Sequence, residues 1–173
     1  MNAATPEGGR AAAVAAAIVK DPLRVLLIRR ADVPGDPWSG QMAFPGGRHE
    51  PTDADLLSTA TRETREELGL DLSGAEYLGA MEDVQAVARG RRLDLRIRPF
   101  FFVLPGVPEL QPNREVSEVH WGDLEGMRAG RFDTTQPWRD EGREFRFPAY
   151  QVGQRRVWGL TYRMLQQLFQ ALD

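Results

Sequence analysis

The chain has 173 residues, the length of one average domain, and its 42% hydrophobic and 27% charged content fits a globular protein rather than a disordered or fibrous one. Its net charge of −3 lacks the basic excess that long polyanions call for, so a nucleic-acid partner is disfavoured. With no cysteine in the chain, disulfide frameworks, thiolate-held metals and thiol nucleophiles are excluded.

Residues 1–9 are small and polar, with Pro6, Gly8 and Gly9, and read as a flexible N-terminal tail ahead of a single domain over 10–173. The apolar run at 11–19 is shorter than the ~20 residues of a membrane span. Only Arg10 precedes it and Lys20-Asp21-Pro22 follows, which argues against a signal peptide and for a cytoplasmic protein. Stretches 13–19 and 24–30 flank an Asp-Pro turn and predict a β-hairpin. Residues 32–40, rich in proline and glycine, predict a loop, and a short apolar piece, Met42-Ala43-Phe44, is stopped by Pro45-Gly46-Gly47. Apolar residues at helical spacing predict a helix over 53–68, with Asp53 as its N-cap and Gly69 as its stop. Strands are predicted at 77–83, 93–104 and 116–121, a small helix at 124–128, a hairpin from 145–151 and 155–157 across Gly153, and a final helix at 160–171. Strands with one helix inserted and one at the end predict an α/β protein of the α+β type, with helices packed on a mixed sheet.

The chemistry concentrates in Arg62-Glu63-Thr64-Arg65-Glu66-Glu67-Leu68-Gly69-Leu70. On a helix Glu63, Glu66 and Glu67 stand at i, i+3 and i+4, so three carboxylates converge on one surface patch and repel unless a cation sits among them. Magnesium, which prefers oxygen ligands and shares them with substrate phosphates, suits such a patch and points to phosphate chemistry. A plain solvated helix face, with Arg62 and Glu66 as an ion pair, is the competing reading. His49 and His120 have no partner at metal spacing and read as surface or hydrogen-bonding residues. Trp38, Trp121, Trp138 and Trp158 could stack on a nucleobase or simply pack, and the basic stretch Arg89, Arg91, Arg92, Arg96 and Arg98 could meet phosphates. Lys20 is the only lysine among 22 basic residues, so arginine is a compositional bias and any one arginine carries little information.

These residues resemble the Nudix hydrolase motif, G-x5-E-x7-R-E-U-x-E-E-x-G-U with U a bulky aliphatic residue. Arg62-Glu63, Glu66-Glu67, Gly69 and Leu70 match its second half in register, with Thr64 in place of the aliphatic residue. The first half is one residue longer, fourteen residues separating Gly47 from Arg62, and the middle glutamate is absent, Asp53 or Asp55 lying nearest its place. Phe44-Pro45-Gly46-Gly47 with this longer spacing, and Val157-Trp158-Gly159-Leu160-Thr161, look like the coenzyme A pyrophosphatase branch. Of that branch's upstream signature, Leu26-Leu27, Arg30 and Gly40 fit, whereas Ala31 and Asp36-Pro37 depart from it.

The resemblance implies a Nudix-like mixed sheet sandwiched between helices and a hydrolase that cuts the diphosphate linkage of a nucleoside diphosphate derivative by water attack at phosphorus. It implies Mg²⁺ or Mn²⁺ held by Glu63, Glu66, Glu67 and the Gly46 carbonyl, with Arg62 orienting the carboxylates and Glu63, Glu66 and Arg62 as catalytic residues. The general base would be Glu63 or a loop glutamate, Glu115 or Glu118. The expected partner is a small nucleotide or coenzyme A type substrate, with the chain as monomer or homodimer and without nucleic acid or membrane. A catalytically silent nucleotide-binding module is the alternative of a different class. Specificity is expected from the loop-like stretches 31–40, 84–92 and 130–150.

Overall fold

The computed structural model describes residues 10–173, so the tail expected at 1–9 lies outside the described residues. Alanine disfavours strands, yet Arg10–Val19 forms the ten-residue strand β1, because both of its faces are buried. Ala12, Ala16 and Ile18 belong to one apolar layer and Ala13, Ala15, Ala17 and Val19 to the other, the two-residue alternation of a strand covered on both sides.

β2 (Arg24–Arg30) turns back on β1 as expected, but the two pair only at Ile18–Val25 and Val19–Arg24. Beyond that point they splay, and residues 42–48 fill the fork. There β3 (Met42–Ala43) pairs with β2, while β4 (Gly46–Arg48) pairs with β1. Gly46-Gly47 is therefore not the strand stop that the sequence suggested. A glycine in a strand often marks a close backbone approach, and a Cβ on Gly46 would overlap the Ala13 carbonyl oxygen and lie 2.6 Å from Val14 Cα.

On its other edge β1 runs parallel to β7 (Arg91–Val103), which pairs antiparallel with β5 (Glu76–Ala80) and β6 (Val84–Ala88). The strand expected at 77–83 ends at Ala80, where the chain turns and Asp83 accepts from Arg98 Nε at 2.7 Å, and β6 falls in the stretch 84–92 that the sequence marked as loop-like. β8 (Val116–Asp123) pairs along β2 and runs into the short helix α2 (Leu124–Arg128).

Helix α1 (Leu56–Leu68) covers one face of this sheet, with Leu56, Ala60 and Leu68 against the β1 alanines, Phe100 and Phe102. It starts later than expected. Its N-cap is Asp55, whose side chain accepts from Ser58 N–H at 2.8 Å, because Asp53 is held by an arginine instead. Gly69 ends the helix at φ 66°, a left-handed cap that favours glycine. Thr64 packs inward as an aliphatic residue would, its hydroxyl satisfied by the Ala60 carbonyl at 2.8 Å.

α3 (Gly159–Leu172) covers the opposite face, burying Met164, Leu165, Leu168 and Phe169 beside Met42, Leu95, Ile97 and Phe101. Beside it lies a second, antiparallel sheet of β9 (Asp133–Asp140), β10 (Arg143–Val152) and β11 (Arg155–Trp158), with β10 in the middle. The β10–β11 hairpin is as expected, whereas β9 falls in a stretch that the sequence marked as loop-like. Pro137 obscures it, and an edge strand can carry a proline. The α+β architecture of a mixed sheet between helices is the one the sequence predicted. No described helix is long and apolar enough to cross a membrane.

Candidate active site

The fork between β1 and β2 brings the glycine pair under α1. Ala15 N–H donates to Pro45 C=O at 2.8 Å and His49 N–H to Ala11 C=O at 2.9 Å, with Ala13 opposite Gly47. By the alternation of an antiparallel ladder, the N–H and C=O of Gly46 then point away from β1. The N–H finds Glu67 Oε1 at 2.9 Å. Gly47 lies against Glu63, where a Cβ would come within 2.5 Å of the carboxylate carbon.

The three glutamates do not share one solvated patch, as the sequence suggested, but span the depth of the site. Glu67 is 3% exposed, the Glu63 side chain 14% and the Glu66 side chain 54%. Glu67 points inward because helical spacing puts it on the same face as Ala60 and Thr64. Burial pushes its carboxyl up to about 8, against the Gly46 N–H, and the nearby charges of Glu63 and Glu115 push the same way. Burial also raises Glu63, with Arg62 opposing.

Arg62 organises the rim. Its Nε and Nη2 grip both oxygens of Asp53 at 2.7 and 2.9 Å, and Nη1 reaches Glu63 at 3.1 Å and Glu66 at 3.2 Å. Asp53, 4% exposed at its side chain, also accepts from Glu50 N–H and the Thr59 hydroxyl, and the Arg62 guanidinium holds it well below the usual carboxylate range. Of the two aspartates nearest the absent motif glutamate, Asp53 is thus the one joined to Arg62.

These groups line a cleft of about 980 Å³. Its acidic wall of Glu63, Glu66 and Glu67 faces loop residues 31–38, and Leu93, Leu95, Leu160 and Met164 close the far side. Arg30, Arg48 and Arg114 also line it. The sequence gave Arg48 and Arg114 no distinguishing signal, since arginine supplies nearly all the positive charge.

The two loop glutamates separate. Glu115 lines the cleft and makes no ion pair among the described residues. Its loop is tied to the end of α1 by Asn113 N–H to Glu67 C=O and Gln111 N–H to Leu68 C=O, both at 2.8 Å, and to the opposite loop by Ala31 N–H to Glu115 C=O at 2.9 Å. Glu118 lies outside the cleft, bound by Arg155 and by His120 at 2.7 Å, and the hydrogen bonds from these two, that of Arg155 first, hold it down to about 2. His49 shares a hydrogen bond with Thr59 at 2.9 Å, so both histidines serve polar contacts as expected.

Among the described residues no three acidic or histidine side chains converge as a formed metal cage. Glu67 is engaged by an amide and Glu66 by a guanidinium. The donor set nevertheless fits a hard divalent ion: three carboxylate groups at one wall, the innermost pushed up by burial so that a cation would offset its charge, and a glycine carbonyl turned away from its strand partner.

A sequence model of the NUDIX domain matches residues 9–144. The uncharacterized Nudix hydrolase NudL of Shigella flexneri is 30% identical over 165 residues, covering 94% of this chain and 83% of that protein. An uncharacterized protein of Schizosaccharomyces pombe is 40% identical over 104 residues, 58% of this chain, which there spans only 32% of the relative's length. Among solved structures, the MutT protein of Methanosarcina mazei aligns with a TM-score of 0.60 at 18% identity, covering 97% of this chain and 98% of that one. The NUDIX domain of Shewanella oneidensis NrtR, solved with ADP-ribose, aligns with a TM-score of 0.58 at 17% identity over 97% and 91% of the two chains. At these identities the structures attest the fold, and the family follows from the domain match and the NudL relatives. The chain belongs to the Nudix family of hydrolases, which act on phosphorus anhydrides.

Proposed function

We propose that residues 10–173 act as one catalytic unit that hydrolyses the diphosphate linkage of a nucleoside diphosphate derivative with Mg²⁺ or Mn²⁺. The observation that carries this reading is the graded acidic wall of Glu63, Glu66 and Glu67 beside Gly46, in a cleft that also holds three arginines. Glu63, Glu66, Glu67 and the Gly46 carbonyl would hold the ion, exchanging the Arg62 contact of Glu66 and the amide contact of Glu67 for it. When bound, the ion neutralises diphosphate oxygens and lowers the pKa of a coordinated water.

The chain's own residues supply the rest. Arg62, anchored by Asp53, keeps Glu63 and Glu66 in place. Arg30, Arg48 and Arg114 meet the non-bridging phosphate oxygens and align the linkage for in-line attack. Glu115, facing the cleft without an ion pair, takes the proton of the attacking water, whereas Glu118 is committed to Arg155 and His120.

The ADP-ribose bound by the NrtR domain fits the substrate class. Coenzyme A is the narrower reading, favoured because Leu160 and Thr161 of the segment resembling that branch line the cleft. The test is product release from coenzyme A, ADP-ribose, NADH, nucleotide sugars, dinucleoside polyphosphates and nucleoside triphosphates, each with Mg²⁺ or Mn²⁺. Cleavage of one compound that falls about 100-fold or more in Glu67→Gln supports the reading. Full activity in that variant sinks the site assignment, and silence across the panel favours the catalytically silent nucleotide-binding module.

A further inference from the structure

Next to the carboxylate cleft lies a second one, of about 490 Å³, separated from it only by Pro37, Trp38 and Leu160, which line both. Its walls are aromatic: Trp38, Trp138, Phe145, Phe147 and Trp158. Phe147 and Trp158 stack at 5.7 Å and 22°, Trp138 tilts against Trp158 at 5.7 Å, and Trp38 is fixed by Nε1 donating to Val87 C=O at 3.3 Å. Phe145 and Phe147 are 44% and 39% exposed, a large open apolar surface in a concave place. Arg89 and Arg163 stand at its edge.

Four separate stretches of chain build it: the loop before β3, the turn between β6 and β7, the β9–β10 hairpin, and the junction of β11 with α3. The first three coincide with the stretches 31–40, 84–92 and 130–150 that the sequence marked for specificity, and the fourth, carrying Trp158, lies outside them. None of these aromatic rings makes a hydrogen bond to the acidic wall among the described residues, and Trp38 lines both clefts.

We infer that this aromatic cleft is the site for the nucleobase of the substrate, stacked on the Trp138, Phe147 and Trp158 surface while the diphosphate lies across Trp38 at the carboxylates. The inference rests on the hydrolase reading above and adds which end of the substrate is recognised, and where. A flat heteroaromatic ring suits rigid aromatic walls, since stacking needs no fixed hydrogen-bond pattern. The two arginines favour an anionic nucleoside over a neutral one.

The experiment uses tryptophan emission, because three tryptophans line the cleft. AMP, which has no diphosphate to cleave, should quench the wild-type protein saturably, and ribose 5-phosphate should not. Trp138→Leu and Phe147→Leu, each with an unchanged melting temperature, should weaken AMP binding about tenfold and raise KM for the best substrate of the panel by a like factor, with kcat falling far less. Equal quenching by ribose 5-phosphate, or unchanged AMP affinity and KM in both folded variants, overturns the inference and leaves the hydrolase reading intact. Saturable AMP quenching lost in both variants, in a protein that cleaves nothing, keeps the cleft assignment and removes the hydrolase reading.

Discussion

Glu67 is the residue on which burial and neighbouring carboxylates act together, opposed chiefly by the Gly46 amide. Its folded carboxyl stands at about 8, above its ordinary value of 4.5, so the folded chain keeps a proton that the unfolded chain releases. In this range the native state binds more protons, and ion-free stability must fall as pH rises from about 5 to about 8. On the proposed site a divalent ion would displace that proton, so its stabilising effect should grow over the same interval. Melting curves at pH ~6 and ~8, with and without Mn²⁺, should show the ion-free protein melting lower at the higher pH and the Mn²⁺ increment larger there. Glu67→Gln should lose most of both effects. A wild-type Mn²⁺ increment independent of pH would mean that this carboxyl is not the one the ion displaces a proton from. Asp53 works in the reverse direction: the Arg62 guanidinium holds it low, so its contribution is present above the ordinary carboxylate range and lost only in strong acid.

Among the elements, β4 has little tolerance for side chains at either glycine, and the two fail in different ways. A Cβ on Gly46 meets β1 backbone, whereas one on Gly47 meets only the end of the Glu63 side chain. Gly46→Ala should therefore cost about 1–3 kcal/mol of stability, read from denaturant unfolding. Gly47→Ala should keep a near-normal unfolding midpoint while losing turnover, because Glu63 must move. Equal unfolding losses in both would contradict the assignment of separate roles. The strand itself was hidden in the sequence, because Pro-Gly-Gly signals a turn wherever local chemistry decides. Here pairing with β1 decides, and that pairing exists only because β1 and β2 splay. The α1 face was legible because helical spacing alone gathers Glu63, Glu66 and Glu67. Its depth was not, since spacing says which side chains share a face but not how closely the sheet covers it. Arg48 and Arg114 were missed for a compositional reason, and β9 because Pro137 interrupts a weak alternation. Glu115 and Glu118 looked alike in sequence, and the fold tells them apart by bringing Arg155, thirty-seven residues beyond Glu118, against Glu118 and by turning Glu115 toward the cleft.

At the scale of the molecule, α1 and its tethered 111–115 segment form one side of the carboxylate cleft, and α3 with β7 forms the other. The two sheet faces are covered unequally. On the α1 face β1 offers only methyl groups until Val19, with Ala13, Ala15 and Ala17 fully buried. Interaxial and helix–sheet spacings follow the size of the side chains between them, so small residues let α1 settle close. That closeness is what allows Glu63 to rest on Gly47 and Glu67 to reach the Gly46 amide. The alanine run is therefore a gauge block: it sets the thickness of the layer between helix and sheet, and through it the height of the acidic wall above the glycine pair. Thickening it by two methyl groups, as in Ala15→Val, should lower kcat/KM proportionately more than it lowers the melting temperature, a ratio obtained by measuring both on the same preparation. On this view the alanine composition of one face of β1 sets a dimension of the proposed site from beneath the helix, while Ala12 and Val14 of its other face line the cleft itself.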